Sequence, residues 1–95
     1  MKLQIIKSHL PNKKFDAVFT DKDAVRVIPF GATGYSDYTI NKDPKRREAY
    51  IKRHQKTEHF DSPMTAGSLS RWLLWGDSTS MNTNIKAFKK RFDLQ

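Results

Sequence analysis

An α+β domain is the fold that these 95 residues predict, and three observations predict it. Short runs of alternating apolar residues fill residues 1–30, as strands do. Two cap-and-proline dipeptides, Asp43-Pro44 and Ser62-Pro63, then open stretches rich in helix formers. Six Phe, three Tyr and two Trp supply the rings for one core, and a chain of this length builds only one. The layout is a single domain over 1–95: a β-meander at 1–30, a Gly/Tyr loop at 31–42 and a helical part at 43–95.

The first strand is Lys2-Leu3-Gln4-Ile5-Ile6-Lys7, with β-branched content and partial alternation. In the second, Phe15, Ala17 and Phe19 alternate with Asp16, Val18 and Thr20. In the third, Val25 and Val27 alternate with Ala24, Arg26 and Ile28. Each alternation places one set of side chains against a core. The connectors Leu10–Lys14 and Asp21-Lys22-Asp23 are too short for crossovers, so the strands form an antiparallel three-stranded meander.

From Phe30 to Thr39 neither period survives, and two glycines and two tyrosines mark an ordered loop. Asp43 then caps a helix that starts at Pro44 and runs to about Glu58. Its apolar residues are few, chiefly Ala49, Tyr50 and Ile51, so it buries a narrow stripe. A second helix follows Ser62-Pro63, carries Ala66, Leu69, Trp72, Leu73 and Leu74, and ends at Gly76 as C-cap. A last helix, capped by Ser78, Thr79 or Ser80, sets Met81, Ile85, Phe88 and Phe92 in one stripe. Trp72, Trp75, Phe88 and Phe92 are the expected core rings. Trp72 is expected to be buried and Arg53 exposed.

Composition narrows the function. There is no cysteine, which excludes disulfides, thiolate zinc sites and cysteine nucleophiles. Leu3, Ile5 and Ile6 are interrupted by Lys2, Gln4 and Lys7, so no signal-peptide apolar run appears. The longest uncharged apolar run is Trp72-Leu73-Leu74-Trp75, too short to span a bilayer. The expectation is a soluble protein that is not secreted and has no membrane partner.

Eighteen Lys and Arg against ten Asp and Glu give a net charge of +8 and imply an acidic partner. Residues 42–56 hold seven of those cations and two carboxylates. Lys42, Lys45, Arg46, Arg47, Lys52, Arg53 and Lys56 form the first candidate phosphate-contacting set. Arg71 and the last helix's Lys86, Lys89 and Lys90 extend it. An ordinary solvated helix is the plainer account of such a run, but Glu48 alone offers internal pairing. Gly31, Gly34, Tyr35 and Tyr38 suit either an anion nest with a stacking ring or a tight structural turn.

Metal and catalytic chemistry find little support. His54 and Glu58 are four apart on a helix, with His59 and Asp61 close by, but no third nitrogen ligand accompanies them. No catalytic carboxylate pair stands beside His54. The expectation is therefore no enzyme, no metal, no cofactor and no small-molecule substrate.

The strings Phe30-Gly31, Gly34-Tyr35-Ser36-Asp37-Tyr38-Thr39, Asn41-Lys42-Asp43, Arg46-Arg47 and Tyr50-Ile51-Lys52-Arg53-His54 carry a resemblance. So do Thr65-Ala66-Gly67, Ser70–Trp75 and Lys89-Lys90-Arg91-Phe92. With them the chain is similar to a small uncharacterised family of short basic proteins. These are encoded by large DNA viruses of algae and amoebae and by some bacteriophages. Where that family has His before Lys42-Asp43, this chain has Asn41, which speaks against a metal or catalytic role there. The resemblance implies a viral source and a virion- or genome-associated role, with the protein either intracellular in the host or associated with the virion. Two functions follow: sequence-nonspecific nucleic-acid binding through backbone phosphates, or a minor virion protein whose basic faces dock on acidic viral protein surfaces.

Overall fold

In the computed structural model, which describes residues 1–95, the chain opens with an antiparallel sheet in the order β1-β2-β3. The strands are β1 (Lys2–Lys7), β2 (Lys13–Asp21) and β3 (Ala24–Ala32). Helices follow: α1 (Tyr38–Asn41), α2 (Pro44–His54), α3 (Ala66–Leu69), a π-helical turn (Ser70–Leu74) and α4 (Met81–Arg91). The fold is α+β, as the sequence predicts.

Register decides which face of the sheet turns inward. Leu3 opposes Phe19, Ile5 opposes Ala17, and Phe15 and Ala17 oppose Phe30 and Ile28. Leu3, Ala17, Phe19 and Phe30 are buried. Val25 and Val27 lie on the opposite face, where no helix covers them, and Val25 is 64% exposed. Alternation separates the two sets of β3 but does not say which one meets the core; pairing with β2 selects Ile28 and Phe30. The chain end lies along β1: the Leu3 N–H donates to the Gln95 carbonyl at 2.8 Å, and the Gln95 N–H to the Met1 carbonyl at 2.9 Å.

The sheet is joined on its inner face by Leu69, Leu73, Leu74, Trp75 and Phe88. Trp75 N–H bonds the Ser70 carbonyl five residues back, at 3.0 Å. This wide turn brings three consecutive side chains, Leu73, Leu74 and Trp75, into the core. Asn84 is buried beneath them as a polar pin. Its amide donates to the Leu73 and Ser78 carbonyls at 3.0 and 2.8 Å and accepts from the Ser78 N–H at 3.1 Å.

Several expected details differ. The loop is shorter than 31–42, because Gly31 and Ala32 complete β3 and Asp37 caps α1, accepting from the Thr39 N–H. The α2 helix ends at His54 rather than near Glu58. A turn follows it, closed by the Glu58 N–H on the His54 carbonyl at 2.9 Å. The next helix starts at Ala66, not after Ser62-Pro63, because the Thr65 hydroxyl takes the Ser68 N–H as the cap.

Gly76 is not a left-handed C-cap; Trp75 ends that helix. Gly76 is small for another reason: a Cβ there would lie 2.7 Å from Asn84 Cγ and collide with the Trp72 carbonyl. Trp72 is half-buried rather than buried. Its indole N–H donates to the Phe60 carbonyl at 2.7 Å, and the guanidinium groups of Arg71 and Arg91 lie 4.2 and 3.7 Å from the centre of its ring. Phe92 is likewise half-buried, packed on Phe88. Arg53 is exposed, as expected.

Candidate nucleic-acid interface

Helix geometry sorts the cations of α2. Residues three, four and seven apart share a face. Arg46, Ala49, Tyr50, Arg53 and His54 accordingly line one side of a cleft of about 530 Å³. Lys14, Gly31 and Tyr35 from β2, β3 and the following turn also line it, as do Gly67, Leu74 and Trp75. On the neighbouring face of α2, Lys52 pairs with Glu48 at 3.2 Å, both side chains well exposed. Lys42, Lys45 and Lys56 are exposed and enter no ion pair; the same holds for Arg46 and Arg53.

Arg47 and Arg71 are engaged inside the fold instead. Arg47 Nε donates to the Gly76 carbonyl at 2.7 Å, its Nη2 pairs with Asp77 at 2.6 Å, and its guanidinium lies 5.6 Å from the centre of the Tyr38 ring. Arg71 donates to the Trp75 carbonyl at 2.9 Å. Burial, together with the nearby charges of Arg47 and Arg91, lowers the Arg71 proton affinity. Lys86, Lys89 and Lys90 of α4 do not line the cleft.

The Gly/Tyr segment divides. Gly31 takes φ of 78°, and a Cβ there would stand 2.9 Å from Leu74 Cδ1, so close packing explains it. Gly34 takes φ of 86° in open space, in a turn that leaves Tyr35 74% exposed at the cleft. Tyr38 is half-buried and packed against the core. The segment is fastened by Asp37, almost wholly buried, which accepts from Lys14 Nζ at 2.6 Å. This pairing spans β2 and the loop, and no local sequence signal announces it.

The cleft's inner wall is aromatic. The rings of Trp75 and Tyr50 stack at 4.5 Å and 9°, and Tyr50 stacks on His54 at 4.1 Å and 27°. Burial and the nearby Glu58 carboxylate push the Tyr50 hydroxyl up to about 12. The turn after α2 folds Glu58 back so that Oε1 lies 3.5 Å from His54 Nδ1. Glu58 Oε2 is buried without a hydrogen-bond partner. It rests against Gly67, where any Cβ would lie 2.6 Å away. His59 and Asp61 border a different groove, beside Trp72 and Arg91. No three metal-ligating side chains cluster.

A separate polar cluster ties β1 to β2. Asp16, buried, accepts from Ser8 Oγ at 2.6 Å, from the His9 N–H at 3.1 Å and from the His9 ring. Burial raises the Asp16 pKa, but these hydrogen bonds outweigh it and hold the carboxyl below its ordinary value.

Residues 3–54 match the family of unknown function DUF5754. The chain belongs to that family. The matched stretch takes in the sheet, the Gly/Tyr turn and the whole of α2, so one full wall of the cleft lies within it. No curated protein and no solved structure matches the chain. No helix is long and apolar enough to cross a membrane.

Proposed function

We propose that the protein binds nucleic acid through its phosphates, without catalysis, using the exposed face of α2 and the rim of the cleft. The observation that carries this reading is the unbalanced charge of α2 and its flanks. Asp43 is spent on capping the helix and Glu48 on Lys52. Lys42, Lys45, Arg46, Arg53 and Lys56 are left exposed and unpaired on α2 and directly beside it. Cations held apart from carboxylates in this way are free to neutralise phosphates and release the counterions condensed on a polyanion. Tyr35, exposed at the cleft mouth, adds a ring on which a base stacks. Lys86, Lys89 and Lys90 supply a second contact region on α4.

The resemblance of the chain to short proteins of large DNA viruses supports a viral genome as the nucleic acid, within the host cell or the particle. An acidic protein surface in the virion is the competing partner. Titration of labelled single- and double-stranded oligonucleotides at increasing salt tests the proposal. With about five phosphates neutralised, log affinity falls against log salt with a slope of about −3 to −5. Affinity indifferent to salt, or undetectable at low salt, removes the proposal.

A further inference from the structure

We propose that the cleft is a nucleobase pocket: it takes one unstacked base of the bound strand, and Glu58 selects a base that carries an exocyclic amine. This rests on the nucleic-acid reading above and adds to it a specificity that backbone charge alone does not supply.

Size, stacking and charge each bear on this. A volume of about 530 Å³ is within the range of small-molecule sites and accommodates a nucleoside. The ring column Trp75–Tyr50–His54 forms a wall of the cleft. It ends on His54, whose side chain is 35% exposed and offers a π-surface to an incoming base. Arg46 and Arg53 are seven residues apart on the same face of α2, about 10 Å along the axis. They flank the cleft as partners for the phosphates on either side of the inserted nucleotide.

Glu58 supplies the discrimination. A carboxylate only accepts hydrogen bonds, and this one lines the cleft with Oε2 enclosed against Gly67 and Oε1 engaged loosely by His54. Oε1, held by His54 at only 3.5 Å on a side chain that is 33% exposed, is the oxygen left for an arriving donor. Gly67 keeps the space that admits the carboxylate at this depth. Cytosine presents its N4 amine as a donor, whereas thymine presents a carbonyl oxygen at the equivalent position. The two pyrimidines are alike in size, so the comparison isolates the amine. Against Glu58 the first forms a charge-assisted hydrogen bond and the second sets acceptor against acceptor.

The test measures binding of oligo-deoxycytidine and oligothymidine of equal length at neutral pH by fluorescence anisotropy, with the parent, E58Q and A49F. The parent favours the cytosine strand by about fivefold or more, as one charge-assisted hydrogen bond implies. E58Q, whose amide both donates and accepts, loses most of that preference, and its affinity for the thymine strand rises rather than falls. A49F fills the cleft from an exposed helix position, so it retains the fold and loses the preference as well. Equal, salt-dependent affinity of the parent for both strands overturns the base pocket and leaves phosphate binding standing. So does a preference that survives both substitutions. Failure of both strands to bind at low salt removes the underlying reading as well.

Discussion

Arg47 and Gly76, distant in sequence, are joined by a hydrogen bond of 2.7 Å from the guanidinium Nε to the main-chain carbonyl. This contact fixes α2 against the end of the π-helical turn. It also separates Arg47 from the exposed cations beside it. Its Asp77 partner is 83% exposed, so that ion pair contributes little, and the bond to the carbonyl dominates. Arg47→Ala is expected to cost about 1–2 kcal/mol of stability by denaturant unfolding. Arg53→Ala, on the cleft rim, is expected to stay within about 0.5 kcal/mol of the parent. Equal stability of the two variants contradicts the division of α2 into a clamp and a free face.

Asn84 holds the turn that follows the π segment through three hydrogen bonds to the main chain. Asn84→Leu leaves the Leu73 and Ser78 groups unpaired and is expected to cost about 2–4 kcal/mol, seen as a lowered melting temperature. Gly76→Ala brings a methyl group into the same space and is expected to cost about 1–3 kcal/mol. Because the two residues touch, the double variant should fall short of the sum.

Tyr50 reports on the cleft wall. Its folded pKa of about 12 lies above the ordinary value of 10.0, so the native state favours the neutral phenol. The associated stability is fully present below pH 10 and is lost as pH rises from 10 through about 12. Spectrophotometric titration of tyrosinate is expected to show a component near pH 12 that Tyr50→Phe lacks. A Tyr50→Phe titration identical to the parent's contradicts the burial of this ring beside Glu58.

Much of this arrangement is legible in the sequence. Phe15, Ala17 and Phe19 mark the inner face of β2, Asp43-Pro44 marks the start of α2, and the stripe of Met81, Ile85, Phe88 and Phe92 marks α4. Val25 and Val27 leave the faces of β3 undecided, because only the pairing of Ile28 with Ala17 and of Phe30 with Phe15 assigns them. Ser62-Pro63 misleads because Thr65 has the better-placed hydroxyl. The cleft was only half visible. Spacing places Arg46 and Arg53 together, but Lys14 on Asp37, Glu58 on Gly67 and Arg47 on Gly76 are tertiary pairings without a local pattern. Trp72 reads as core by hydrophobicity, yet it is only half-buried, packed against the core with Arg71 and Arg91 on its ring.

The exposed cations on and around α2 are the centre of the functional account, and a comparison of two charge-neutralised proteins tests it most directly. One carries Gln at Lys45, Arg46, Arg53 and Lys56, and the other carries Gln at Lys86, Lys89 and Lys90. All seven side chains lie at or near the surface, so both proteins should melt close to the parent. The measurement is the salt dependence of affinity for one oligonucleotide. Neutralising the α2 set should flatten the slope by about three units and weaken binding to every sequence, whereas the α4 set should flatten it less. A parent-like slope after neutralising Lys45, Arg46, Arg53 and Lys56 would contradict the account.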